Sequence, residues 1–469
     1  MKLNMKSKRT NTRRDFIKQS MISAAGLTII PGFVLGEDGI PSITNETAQI
    51  ISGGQTGMKT VAFIANIYFK ISHADVIGTK LFLGIPTDEG MVTPQVKIVS
   101  VWIDQIDDNE WIGNDDATDI GVRIAKMNGA TIYPTIAEAL TLGGDKLAVD
   151  AVIYIGEHGE YQNNRLGVKM YPRMNYLEQI FRVFDASKKS VPVYTDKALA
   201  YSWLDSKWIY DRSEELNVPM MAGSSLPYCW RDSDLEHPIG TKITEAVAIG
   251  YGSLESYGFH VAEILQCMLE RRAGGETGVE SIMGLGGDDV WAAMDSGKIS
   301  QELVDNACNK IKNKASGSMR NLVKMPYALI VQYIDGTKGA ILLLSEYVKS
   351  GWAYAANADG KTVATEFVLS SAPAYSHFSY LTLNIQKFLV TGKPTAAIER
   401  TLLTSGLIDI GIRSLAEGKI KKTPFLNIKY SAKGFESIRP KNPRPVGQSI
   451  GPWPPKGYEF TLRDPLKKK

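Results

Sequence analysis

Apolar and polar positions follow one pattern up to about residue 230 and another after it. In the first stretch, Val61-Ala62-Phe63-Ile64-Ala65, Val96 to Ile103, Ala148 to Ile155, Val191 to Tyr194 and Pro219 to Ala222 are short, unbroken apolar runs. Runs of this length without polar alternation suit strands buried on both faces. Helical spacing fills the intervals at 74–81, 117–127, 136–142, 176–187 and 202–216, and Thr131-Ile132-Tyr133 adds a short strand. Strands alternating with helices predict an α/β, Rossmann-like, doubly wound parallel sheet over residues 59–230.

The second pattern starts with a strand at Glu245 to Tyr251 and a helix at Gly258 to Arg271. Tyr327 to Leu344 and Trp352 to Leu369 each break at Asp-Gly, in Asp335-Gly336 and Asp359-Gly360, and such pairs predict hairpins. Leu403, Leu407 and Ile410 put one buried face on a helix from Ala397 to Glu417. Residues 231–435 therefore read as an α+β domain with an open, mainly antiparallel sheet. Gly, Ser, Thr and Asn mark 37–58 as a linker, and 436–469 is a Pro- and Lys-rich tail.

Of 469 residues, 44% are hydrophobic and 22% charged, so a packed fold is expected and a disordered or collagen-like chain is excluded. The formal charge of +3 is misleading, because residues 1–36 hold seven bases and one acid, which leaves −3 for the rest. That removes nucleic acid as a default partner. Thr12-Arg13-Arg14-Asp15-Phe16-Ile17-Lys18 and the apolar stretch Met21 to Leu35 resemble a twin-arginine export signal with cleavage near Gly36. An anchor helix is the other reading. Gly26, Pro31 and Gly32 interrupt the stretch, which falls short of the roughly 20 residues a bilayer span needs. The resemblance implies a periplasmic or otherwise extracytoplasmic protein, exported folded and without a stable membrane span. Cys229, Cys267 and Cys308 have neither metal-ligand nor disulfide-framework spacing and read as buried thiols, and no metal site is expected.

Residues 116–157, with Ile120-Gly121-Val122-Arg123-Ile124-Ala125, Ile132-Tyr133-Pro134-Thr135, Glu138-Ala139-Leu140 and Val149-Asp150-Ala151-Val152, resemble the glucose-fructose oxidoreductase and myo-inositol dehydrogenase (Gfo/Idh/MocA) family. Lys188 to Ala198 is similar to its Glu-Lys-Pro segment, here Asp196-Lys197-Ala198, and Glu214 to Gly223 to the strand that follows. The resemblance implies NAD- or NADP-dependent hydride transfer on a small carbohydrate or polyol, in a homo-oligomer paired through the open sheet. On that basis Ala65, Asn66 and Ile67 occupy the dinucleotide turn, Asp104 the ribose-reading position and Glu157 the nicotinamide ribose position. Ile67 and Lys70 stand where the turn needs glycine, which counts against NAD(P) in the usual pose. Asp104 reads equally as a strand-ending turn residue.

The same resemblance puts Lys197 and His260 in catalytic positions, with Asp196, Glu255 and Glu263 around them. Glu157-His158-Gly159-Glu160 emerges at a strand's carboxyl end, so His158 is a further acid–base candidate and Glu160 a substrate contact. Trp230 and Arg231 could stack on a pyranose, or pack at the domain junction. Glu366 and His377 are lesser substrate contacts. Three functions stay open: an exported oxidoreductase, a carbohydrate-binding or scaffolding protein that lost the dinucleotide, and a cofactor-independent sugar lyase or hydrolase.

Overall fold

The first apolar run becomes β1 (Lys59–Ile67), whose residues from Val61 onward are buried. Parallel neighbours β4 (Val96–Gln105) and β6 (Ala151–Ile155) cover its two edges, in register Lys59↔Val96 and Val61↔Ala151. The computed structural model describes residues 57–106, 119–370, 374–434, 439–440, 453–456 and 458. The leader, nearly all of the linker and most of the tail lie outside them.

With β5 (Thr131–Ile132), β7 (Val193–Asp196) and β8 (Met220–Gly223), the sheet runs β5-β4-β1-β6-β7-β8, all parallel. This is the order of a doubly wound nucleotide-binding sheet. Its direction reverses between β1 and β6, so a crevice opens at their carboxyl ends. The crossovers are α1 (Asp75–Thr79 as a π-turn, then Lys80–Leu83), α2 (Gly121–Met127), α3 (Ile136–Thr141), α4 (Arg173–Ser187) and α5 (Trp203–Glu215). Thr135 and Ser202 cap α3 and α5 by accepting the N–H groups of Glu138 (3.1 Å) and Asp205 (3.2 Å). A small hairpin, β2 (Ile85–Thr87) and β3 (Gly90–Val92), follows α1.

The second sheet has eight strands. β9 (Trp230–Asp232) and β10 (Ile243–Gly250) precede α6 (Gly258–Leu269), and then come β11 (Val279–Gly286), α7 (Asp288–Asp295), α8 (Gln301–Lys310) and α9 (Met319–Leu322). The predicted hairpins are β12 (Tyr327–Tyr333) with β13 (Lys338–Leu343) and β14 (Ala353–Ala358) with β15 (Lys361–Val368). Helices α10 (Ser376–Thr391) and α11 (Ile398–Glu417) and the short β16 (Lys421–Lys422) complete the order β16-β11-β12-β13-β10-β14-β15-β9. Every pair is antiparallel except β10 with β13. Alternation along β10 sends Ala246 and Ala248 into the core shared with the first sheet, and Val247 and Ile249 into a second core with Leu303, Val304 and Ala307 of α8.

The sequence pattern assigns nothing to β11 or α10, and both omissions have a packing cause. A Cβ on Gly284 in β11 would lie 2.5 Å from the carbonyl oxygen of Gly411, so the strand carries glycine where α11 presses on it. α10 is buried around most of its circumference and so lacks an amphipathic period.

The described residues from Lys59 onward form one compact unit. Inside it, Arg400 of α11 donates to Glu270, just past α6, through Nε (2.8 Å) and Nη2 (2.5 Å), and the hydroxyl of Tyr430 also donates to Glu270 (3.0 Å). Both charged groups are almost wholly buried. No helix among the described residues is long and apolar enough to cross a membrane. Removing one partner strands the other's charge in the core, so Arg400→Met is expected to lose about 3–5 kcal/mol in urea unfolding. A loss below about 1 kcal/mol would show that water reaches Glu270.

Candidate active site

The strand ends around the crevice carry a buried ion triad. Glu157, two residues past β6, accepts from Lys197 Nζ at 3.0 Å through Oε1 and from Arg173 Nη2 at 2.7 Å through Oε2. Burial opposes the carboxylate's charge, but Lys197 and Arg173 outweigh it and hold the group well below the usual carboxylate range. Arg173 reaches this position from the start of α4, and its Nη1 also donates to the carbonyls of Asp196 and Ala198 (3.1 Å to the latter). Gly156 clears the path, since a Cβ there would sit 2.8 Å from the Tyr154 hydroxyl. Lys197 and His158 both hold left-handed backbone, φ 60° and 65°, which is strained for side chains of this kind. The Lys197 N–H is tied to the Gly223 carbonyl at 3.1 Å, so the strain is held in place by the sheet.

Lys197 and Glu157 line a cleft of about 560 Å³ together with Lys169, Tyr171, Tyr201, Glu255 and Asp409. Val168, Phe259 and Ile408 supply apolar wall. Glu255 accepts from the Lys169 N–H (3.3 Å) and from the Ser256 hydroxyl (2.5 Å). Asp409 caps α5 through the Trp203 N–H (2.8 Å) and pairs with Arg413 (2.7 Å).

Four of the chain's five histidines gather beside this triad. His73 Nδ1 donates to Asp196 Oδ2 at 2.7 Å, and its ring makes edge contacts with His158 (5.4 Å) and Phe378 (5.1 Å). Burial, aided by the charge of His73, pushes His158 down to about 3. Burial and the charge of Lys197 also keep His260 neutral, and its Nδ1 has no hydrogen-bond partner. His377 accepts from the Ser370 N–H at 3.2 Å and packs on Phe378. Glu263 accepts the Ser224 N–H at 2.6 Å, its second oxygen facing Gly223, and burial pushes its carboxyl up to about 7.

The first turn of the sheet differs from a dinucleotide cradle. β1 stays paired through Ile67↔Gln105 instead of turning away, and Tyr68 then accepts the Ile120 N–H at 2.9 Å. The Tyr68 side chain is wholly buried, with its hydroxyl 2.8 Å from Thr79 Oγ1. Asp75 takes the Ile71 N–H (2.8 Å) and the Thr79 hydroxyl (2.5 Å), so an acid stands where a pyrophosphate needs free donors. Beside it a cavity of about 610 Å³ is walled by Val76, Ile120, Tyr375, Trp453 and Pro454. Asp104 accepts the Tyr161 hydroxyl at 2.9 Å. These residues differ from the glycines and free N–H donors with which such a turn approaches a pyrophosphate.

The residues expected from the sequence therefore divide. Lys197, Glu157 and Glu255 line the cleft; Asp196, His158, His260 and Glu263 lie in the polar group behind it. Ala65 and Ile67 are buried in β1, as is Asn66, whose Oδ1 accepts from Tyr154 at 3.1 Å. Glu160 is exposed and bonded through its backbone to Gln105. Trp230 and Arg231 pack away from the cleft: Trp230 meets Tyr380 edge-on at 5.6 Å, and Arg231 lies 3.7 Å from the Phe367 ring centroid and donates to the carbonyls of Pro227 and Cys229. Glu366 sits in β15, opposite Asp232. The three cysteines are buried thiols, and no cluster of metal ligands occurs among the described residues. Arg173, His73 and Asp409 carry no sequence signal. His73 and Asp196 are 123 positions apart, and only the fold joins them.

No protein-family model and no curated protein matches the chain. Among solved structures it is similar to GenD2 from gentamicin A biosynthesis in complex with NAD (13% identity, TM-score 0.48, covering 78% of this chain and 96% of that one). It is also similar to a myo-inositol dehydrogenase from Corynebacterium glutamicum (9%, TM-score 0.45, 78% and 98%). A third is an oxidoreductase from Agrobacterium radiobacter in complex with NAD+, L-tartaric acid and magnesium (12%, TM-score 0.45, 78% and 98%). The fold assignment itself rests on this chain's own strand order and register.

Glu263 gives the region a pH signature. Its folded carboxyl keeps a proton to about pH 7, whereas the unfolded one releases it near 4.5, so the folded state binds more protons in between. Stability from this group is present at low pH and is lost as pH rises through that window, by up to about 3 kcal/mol. Urea unfolding of wild type and Glu263→Gln from pH 4 to 8 is expected to diverge by that amount, with the wild type losing ground; parallel curves would place an ordinary carboxylate at 263.

Proposed function

We propose that the cleft at Lys197 and Glu157 binds a carbohydrate or polyol and acts on it by acid–base chemistry, in a protein exported folded by the twin-arginine route. The observation that carries the reading is the juxtaposition of the Lys197–Glu157 pair, on strained strand ends, with a cleft of about 560 Å³. Its lining mixes a cation, carboxylates and phenol hydroxyls with apolar wall, which suits a ligand that has many hydroxyls and an apolar ring face.

The roles follow from the geometry. Lys197 spends one N–H on Glu157 and keeps two for a ligand oxygen, so Glu157 fixes the ammonium where charge would develop on that oxygen. Arg173 keeps Glu157 in place, and Glu255 and Asp409 offer acceptors for ligand hydroxyls. Hydride transfer would need a dinucleotide, and the absence of glycine at Ile67 and Lys70, with Asp75 taking the Ile71 N–H, favours acid–base chemistry over it.

The test is calorimetry and thermal shift on the full chain with myo-inositol, D-glucose, D-fructose and N-acetyl-D-glucosamine, alongside NAD and NADP. At least one sugar or polyol is expected to bind, neither dinucleotide is, and Lys197→Met is expected to weaken the ligand about 10-fold or more through loss of a charged hydrogen bond. Equal ligand affinity in a folded Lys197→Met protein would remove Lys197 from the site.

A further inference from the structure

We infer that His73, oriented by Asp196, is the general base of this site and takes the proton from the carbon next to the carbonyl group of a keto or aldo sugar. The inference rests on the acid–base reading of the cleft and names the substrate class within it. Its foundation is a built dyad. Asp196 is fully buried at the end of β7, and one of its oxygens accepts His73 Nδ1–H at 2.7 Å. Its other oxygen has no partner. The imidazole is gripped at its edges by His158 and Phe378, so its plane is fixed before any ligand arrives.

A carboxylate on Nδ1–H selects the tautomer whose Nε2 carries the lone pair. That nitrogen makes no hydrogen bond with any described residue, and the side chain keeps 13% exposure beside the cleft residues Lys197 and Glu157. Asp196 and Lys197 are consecutive residues. The dyad and the ammonium therefore leave the same strand end, where the His73 ring meets that of His158 at 5.4 Å and Lys197 meets Glu157 at 3.0 Å. A fixed base beside a fixed cation is the arrangement that enolisation needs.

The step balances without an oxidant or reductant. Nε2 takes the proton from the carbon, the C–H electron pair forms a C=C bond, and the carbonyl π pair moves to oxygen, where the Lys197 ammonium donates a hydrogen bond. Returning the proton to the former carbonyl carbon, with proton exchange between the oxygens, gives the isomer and restores the imidazole, whereas returning it to the same carbon regenerates the substrate and, in D₂O, leaves deuterium there. The chemistry requires a carbonyl, which restricts the substrate class to keto and aldo forms.

The test measures deuterium wash-in by proton NMR, with the full chain in D₂O and D-fructose, D-tagatose or 2-keto-myo-inositol as probes, beside calorimetric binding of the same compounds. The expected result is exchange at the carbon adjacent to the carbonyl of at least one probe, lost at least 100-fold in His73→Gln and in His73→Asn with binding retained. Nitrogen-15 NMR is expected to show His73 as the Nδ1–H tautomer, and Asp196→Asn is expected to shift the tautomer and slow exchange at least 10-fold while circular dichroism stays native. A purely structural Asp196 would leave the tautomer as it is. Binding without exchange, or exchange indifferent to His73, overturns the dyad and leaves the cleft reading standing. Failure of every probe to bind overturns both.

Discussion

The ion triad Arg173–Glu157–Lys197 is the constraint around which the site is built. Taking a carboxylate and two cations out of water is costly, and it becomes tolerable only when each group is held at hydrogen-bond distance by several elements. Here the holders are the ends of β6 and β7 and the first turn of α4. The Arg173 guanidinium also satisfies the carbonyls of Asp196 and Ala198, so the turn that carries Lys197 cannot relax without exposing them. The left-handed backbone at Lys197 is thus sustained by the same contacts that place its ammonium in the cleft.

The doubly wound sheet explains why these residues meet. Parallel strands present their carboxyl ends to one side, and the reversal of order between β1 and β6 leaves that side open. In a dinucleotide-binding domain, glycines and a free helix N-terminus would occupy the opening. This chain sends a continued strand, a buried tyrosine and an aspartate into it. The space next to the strand ends is then taken by imidazoles and phenylalanines, which places the His73–Asp196 pair where protein groups can do proton chemistry.

The fold was largely legible in the sequence because buried parallel strands are uniformly apolar and Asp-Gly pairs mark hairpins. Boundaries moved by only a few residues at β1, β4 and α4. Short or unmarked elements such as β2, β3, β9 and α7 to α9 escaped, and packing hid two more: glycine in β11 under α11, and burial around α10. The site was legible where a residue lies at a strand end or within a recognisable pattern, as with Lys197, Glu157 and Glu255. It was illegible where two distant positions had to meet. His73 is an ordinary residue until β7 delivers Asp196 to it, and Arg173 is an ordinary helix start until Glu157 turns inward. Trp230 and Arg231 leave two readings open in the sequence for a related reason, since an aromatic–arginine pair reads alike whether it faces a ligand or, as here, Phe367 and Tyr380.

On the proposed reading, the cleft serves a hydroxyl-rich ligand and the protein carries no dinucleotide. Native mass spectrometry of the full chain, purified from its native cells, addresses it most directly. The expected mass is that of the polypeptide alone or with a carbohydrate or polyol that the Lys197→Met variant fails to retain. Co-purification of stoichiometric NAD or NADP would contradict it.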